Sequence, residues 1–226
     1  MTLFGSGKVS VKRQMFFSVF TDWQDLSSIF TTVLEELTSI ASTVSTPDIN
    51  FLAAAVKDAR NICCYGVGRE GLVMKALASN LHHMGFVSYF VGDINMPSVG
   101  KSDLFLVSAG PSYYSSVSAL ALEAMRLGGK VIAFTSHKTA ELPFAEHVIR
   151  IPSQTLAPSI PSGVGKRSPE GSDTVSFLPG GQGSILHMGA SYELSLWLVL
   201  ECMSVMLRKK CKVGSSEMRN RHTNLE

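Results

Sequence analysis

The sequence predicts an α/β protein built on a parallel sheet covered by helices on both faces, and three observations carry that prediction. Short continuous apolar runs recur from residue 61 onwards, each run ends in a turn bearing glycine or serine, and helical or loop segments fill the intervals. A strand buried on both faces reads as an unbroken apolar run, and each return to a parallel neighbour needs a crossover.

In chain order, the first element is a helix. Leu26, Ile29, Phe30, Val33, Leu37, Ile40 and Val44 recur three or four residues apart, a single helical stripe. Thr46-Pro47-Asp48 then reads as an N-cap followed by proline at the first helical position, opening a second helix through Ile49, Leu52 and Val56. The strand runs follow at Ile62 to Tyr65, Val87 to Val91, Leu104 to Val107, Val131 to Phe134 and His147 to Ile151. Helices expected at about 69–84 and 115–128 supply two of the crossovers. Residues 152–183 hold five of the nine prolines and little periodicity, so a flexible insertion rich in Pro, Gly and Ser is expected. GASYELSLWLVLECMSVMLRKK, residues 189–210, reads as a long C-terminal helix whose closing Arg208, Lys209 and Lys210 complement its negative end. Residues 212–226 form a tail.

A chain of 226 residues with 45% hydrophobic residues can bury one substantial core, here expected as a single domain over 22–226 behind an extension at 1–21. A formal charge of +2 gives no electrostatic reason to expect nucleic acid or an anionic membrane as a partner. The run 184–207 is long enough to cross a bilayer but contains Glu193 and Glu201, each costing about 2.5–3.5 kcal/mol at the bilayer centre, so a buried helix is expected instead. The four cysteines lack CxxC spacing, which suggests a reducing compartment such as the cytoplasm and neither a zinc site nor a disulfide framework. Residues 1–21 carry Lys8, Lys12 and Arg13 and no acid, so an organelle transit segment stays open as an alternative.

Two turns carry the candidate chemistry. Gly66-Val67-Gly68-Arg69-Glu70-Gly71 lies between a strand and a helix and satisfies GxGxxG, with Asp93 at the end of the next strand, a pattern open to a nicotinamide dinucleotide reading. A narrower reading is that glycine lets the backbone approach an anion at a helix start. The second turn runs from Ser108 through Ser112 to Ser115 and Ser116, again before a helix, and offers hydroxyls and N–H groups to a phosphate, with Arg69 as a fixed cation. The two would share one crevice if they straddle the topological switch point.

Glu193, just inside the start of the long helix, is either a structural glutamate held by a helix-start hydrogen bond or a partner arginine, or a proton-transfer group tuned by burial. His82, His83, His137, His147 and His187 lack ligand spacing, so no metal is expected.

Taken together, GVGREG, LHHMGFVSYFVGD, MPSVGKSDLFLVSAG, MGASYE and the terminal RHTNLE resemble the sugar isomerase (SIS) domain family, and within it the 6-phospho-3-hexuloisomerases. The resemblance spans roughly residues 26–226. It implies a single αβα sandwich with a five-stranded parallel sheet, an isomerase acting on a sugar phosphate without a cofactor, and homodimers or homotetramers with sites at subunit interfaces. It also implies phosphate contacts from Gly66, Gly68, Arg69 and Ser108, with Ser112, Ser115 and Ser116 matched more loosely. Glu193 takes the place of the base and His222 that of a tail histidine reaching a neighbouring subunit's site. The chain departs from the family at the second turn, where Ala109, Gly110, Pro111 and two tyrosines replace a Ser-Gly-Ser-Gly-x-Thr pattern, and at Glu70, where serine is common. A carboxylate beside a phosphate is unfavourable unless it points away or pairs with Arg69, which keeps a non-catalytic phosphosugar-binding module open.

Overall fold

Parallel strands in the order β2-β1-β3-β4-β5 form the centre of the molecule. The computed structural model describes residues 25–156, 174–176, 178 and 183–225. The 1–21 extension and most of the 152–183 segment lie outside the described residues. By backbone contacts the chain divides into a unit of residues 1–35, described only from residue 25, and a unit of residues 36–226.

The described part of the first unit is the start of helix α1 (Leu26–Thr43), whose later residue Ile40 is fully buried in the core of the second. α2 (Thr46–Asp58) begins one residue earlier than expected. Its N-cap is Ser45, whose hydroxyl accepts from the Asp48 N–H, so Thr46 is already helical and Pro47 sits in the first turn where no N–H is needed.

The strands are β1 (Ile62–Tyr65), β2 (Ser88–Phe90), β3 (Leu104–Ser108), β4 (Lys130–Thr135) and β5 (His147–Arg150). They pair in parallel, Ile62 opposite both Ser88 and Leu104, and Ser108 opposite Phe134. Helices α3 (Gly68–His83) and α4 (Ser115–Arg126) are the crossovers after β1 and β3. Alternation along the strands explains the continuous apolar runs. Ile62, Cys64, Leu104, Leu106, Ile132, Phe134 and Ile149 face a core shared with α2, α3 and the long helix α5 (Ala190–Cys211). Cys63, Phe105, Val107, Val131 and Ala133 face the opposite way, onto Val117, Ala121 and Ala124 of α4.

Three elements were not expected. β6 (Gln154–Leu156) and β7 (Thr174–Ser176) pair antiparallel, so both ends of the proline-rich segment have regular structure. The tail contains a short helix, α6 (Ser215–Asn220). Helix α5 has the length and apolarity of a membrane span. One side of it, including Leu196, Leu200, Met203 and Leu207, is packed into the core, and Glu201 accepts from Asn80 Nδ2 at 2.9 Å.

Candidate active site

The switch of strand order falls between β1 and β3, which puts both predicted turns at the carboxyl ends of adjacent strands, where open α/β sheets form their crevices. In the first turn, glycine is required by packing. A Cβ on Gly71 would stand 2.6 Å from the carbonyl oxygen of Gly66, and one on Gly66 would stand 3.1 Å from the backbone of Glu70 and Gly71. Gly68 has φ +57 with open space around it, so it serves the turn itself. Asp93 Oδ2 accepts the Phe90 N–H at 2.8 Å and caps the end of β2. That bond accounts for Asp93 without a dinucleotide.

Helices α3 and α4 both start without a side-chain cap, at Val67 and Tyr114. Their first N–H groups therefore lack the usual Ser, Thr, Asp or Asn acceptor. Ser112 is half-buried at φ +78, with its N–H donating to Ala109 O at 2.8 Å. Ser115 and Ser116 are exposed at the first turn of α4, the Ser115 hydroxyl 3.4 Å from Tyr113 Oη.

Ser108 and Glu70 are joined in a way the sequence did not disclose. Glu70 neither points away nor pairs with Arg69. It is 3% exposed and accepts from Ser108 Oγ at 2.5 Å, from the Gly110 N–H at 3.1 Å and from Tyr114 Oη at 3.0 Å. Since the single Ser108 proton goes to Glu70, the hydroxyl of Tyr192, 3.0 Å away, donates to Ser108. Burial lifts the Glu70 carboxyl above the ordinary range, the three donors oppose that lift, and the charge of Glu193 adds to it. Burial and the neighbouring carboxylates also push both Tyr114 and Tyr192 up, so both remain protonated donors. Gly110 is fixed from its other side, its carbonyl accepting from Thr135 Oγ1 at 3.1 Å, Ser136 Oγ at 2.7 Å and Ser136 N–H at 3.0 Å. Thr135 and Ser136 carried no motif, and Tyr114 and Tyr192 lay within the second turn and MGASYE without a role assigned to them. The position of Thr135-Ser136 at the end of the strand beside β3 could have marked that pair.

Glu193 pairs with Arg69, Nε to Oε2 at 2.8 Å, its side chain 15% exposed. The partner-arginine alternative is therefore present, and the pair sits at the mouth between the first turn and α5. Burial raises the Glu193 carboxyl and the guanidinium opposes that rise, with the balance upward. Glu36 fixes the approach to α5 by accepting from Ser191 Oγ and, at 2.8 Å, from Ser184 Oγ. A Cβ on Gly189 would lie 3.5 Å from Glu193 Oε1, so the carboxylate rests against that glycine.

His222 is not brought to Glu193 of its own chain. It is exposed and stacks on His83, centroids 4.9 Å apart, while Arg221 Nη1 donates to His83 O at 3.2 Å. His83 ends α3 and Arg69 begins it, about 20 Å apart along the axis at 1.5 Å per residue. Among the described residues no three of His, Cys, Asp and Glu gather as metal ligands.

No protein-family model matches the chain. A 3-hexulose-6-phosphate isomerase from Bacillus subtilis is 29% identical over 195 residues, 86% of this chain and 95% of the relative. A crystal structure from Methanococcus jannaschii, for which a 3-hexulose-6-phosphate isomerase function is inferred, superposes with TM-score 0.67 at 25% identity, over 87% of this chain and 98% of that one. The sugar isomerase domain of an RpiR transcription factor from Sphaerobacter thermophilus shares the fold at TM-score 0.61 and 15% identity, over 88% of this chain and 96% of that domain. In sequence and in architecture, the chain is a SIS-fold relative of the proteins named 3-hexulose-6-phosphate isomerase.

Proposed function

We propose that the protein is a phosphosugar isomerase that interconverts 3-hexulose 6-phosphate and fructose 6-phosphate through an enediol, with Glu193 as the base. The observation that carries this reading is a partly buried carboxylate at the start of α5, facing Arg69 at the crevice that opens between β1 and β3. The phosphoryl group rests at the uncapped start of α4 beside Ser112, Ser115 and Ser116, and the half-exposed Arg69 lies within the same mouth. Ser108 acts from beneath, through Glu70 and Tyr192, with its hydroxyl committed inside the fold.

Glu193 takes the proton from C2 of the 3-hexulose and leaves an enediol across C2 and C3. Returning that proton to C3 while the O2 proton passes to O3 gives the 2-ketose. Atoms balance with no oxidant. A carboxylate raised by burial is a stronger base than a solvated one, and general acid–base help of this kind is worth about 10²–10⁴-fold. The transfer between O2 and O3 falls to a histidine in this reading, His222 of a neighbouring subunit, because the chain's own His222 lies at the far end of α3. A homodimer or homotetramer follows from that role, and the exposed Leu194, Trp197, Leu198 and Val205 of α5 supply apolar surface for it. A cytoplasmic location fits the same reading.

The deciding experiment is incubation with fructose 6-phosphate in deuterated water. Deuterium at C3 and appearance of the 3-hexulose are expected, and folded protein giving neither overturns the assignment. A second reading, a phosphosugar-binding module without turnover, is favoured by the inward commitment of Glu70 and Ser108. It predicts ligand-induced thermal stabilisation with no deuterium exchange.

A further inference from the structure

The isomerase reading gives the buried Glu70 carboxylate no chemical task. Its partners are neutral donors, the hydroxyls of Ser108 and Tyr114 and the Gly110 N–H. Among the described residues no cation contacts it, since the adjacent Arg69 turns to Glu193. The titratable groups facing it are Tyr114 from the second turn, Tyr192 and Glu193 from α5, and Arg69 on its own helix, while β3 offers only the Ser108 hydroxyl. The N–H it holds belongs to the loop on which a phosphoryl group would rest. Gly110 keeps the two in register, because a Cβ there would stand 2.7 Å from Glu70 Oε1 and from the Tyr192 ring.

Resting on the phosphosugar reading, we propose that Glu70 is a further residue of the substrate site, an internal anion beneath the 108–114 loop that takes up a proton as a phosphoryl group binds. A phosphate dianion at the start of α4 places a second negative charge close to a carboxylate with no counter-cation, and like charges out of water favour the protonated acid. The proton has a place to go. The Tyr114 hydroxyl can turn from donating to accepting, so an acid protonated on Oε1 keeps a partner there while Ser108 and Gly110 still donate to Oε2. No backbone movement is needed. One proton passes from solvent to Glu70 for each phosphoryl group bound, and nothing is oxidised or cleaved. Burial already holds this carboxyl above its ordinary range, which brings the exchange toward neutral pH.

The test is calorimetric titration with fructose 6-phosphate, and separately with inorganic phosphate, in buffers of different ionisation enthalpy across neutral pH. The wild-type protein is expected to take up more protons than Glu70→Gln, by up to about one per ligand. Glu193→Gln removes a charge that adds to the lift of Glu70, so its uptake is expected to peak at lower pH while keeping the proton that depends on Glu70, and comparison with Glu70→Gln cancels the ligand's own ionisation. Should Glu70→Gln not fold, Tyr114→Phe removes one donor that favours the carboxylate, and the pH of greatest uptake is expected to rise. Equal uptake in wild type and Glu70→Gln, uptake lost in Glu193→Gln alone, or an unmoved maximum in Tyr114→Phe would each overturn the proposal. Proton-linked binding without turnover would remove the isomerase reading and leave this one standing. Absence of binding by either ligand would remove both.

Discussion

Arg69 Nε stands 2.8 Å from Glu193 Oε2, and this ion pair ties the turn after β1 to the first turn of α5. It gives the proposed base a counter-cation on the rim of the crevice. The guanidinium is half-exposed, so the pair is screened by solvent and its contribution to stability is small. Its larger effect is on the protonation of Glu193, because loss of the cation disfavours the charged carboxylate. Arg69→Met is therefore expected to move the acid limb of kcat/KM to higher pH. A pH–rate profile of wild type and variant checks this, and an unmoved limb would separate the pair from the chemistry.

Glu193→Gln keeps the shape of the side chain and removes the proposed base. Turnover is expected to fall by about 10²–10⁴-fold, with KM changed far less. Steady-state kinetics together with deuterium exchange into fructose 6-phosphate measure both quantities.

Stability is expected to vary with pH in two opposing directions. Glu70 and Glu193 have folded pKa values above the ordinary carboxylate range, so between the ordinary and the raised values the native state binds more protons than the unfolded chain. Their contribution to stability falls as pH rises through that window. Asp103 is the opposite case: burial alone would raise it, but bonds from Arg60, the Gly100 N–H and Asn61 outweigh burial and bring it down. Its contribution is present above the ordinary carboxylate range and is lost as pH falls through the depressed value. Urea midpoints measured against pH are expected to flatten on the neutral side in Glu70→Gln and on the acid side in Asp103→Asn.

Gly110→Ala tests how tightly the second turn is packed. The added methyl meets Glu70 Oε1 and two Tyr192 ring carbons at 2.7 Å, and these atoms are themselves buried. A loss of about 1–3 kcal/mol is expected from overpacking, together with weakened phosphate binding. Thermal unfolding and a phosphate titration read the two effects separately.

Thiol labelling under native conditions should be selective. Cys202 is exposed, whereas burial raises the Cys63 thiol to about 11 and pushes fully buried Cys64 further up. Cys202 is expected to react with a disulfide reagent at neutral pH in the single chain and to be slowed in the proposed oligomer, which would cover the Leu198–Val205 face of the helix, whereas Cys63 and Cys64 react only after unfolding.

The strands, their parallel pairing and the two crossovers were legible in the sequence because each depends on local apolar pattern and turn chemistry. Runs such as Leu104 to Val107 and Val131 to Phe134 are apolar throughout because the sheet is covered on both faces, and the register confirms it. The position of Glu193 at a helix start was equally local. What tertiary structure decided is which side chains face one another. No sequence spacing could reveal that Glu70 closes on Ser108 and Tyr114, 38 and 44 residues away, or that Tyr192 completes the set from another helix. Those contacts depend on β1 and β3 lying side by side at the strand-order switch and on α5 returning across α3, relationships set by packing of the whole core. The same reason separates His222 from Glu193: the tail ends against the far end of α3, so the sequence could nominate both residues while only the fold determined that one chain does not bring them together.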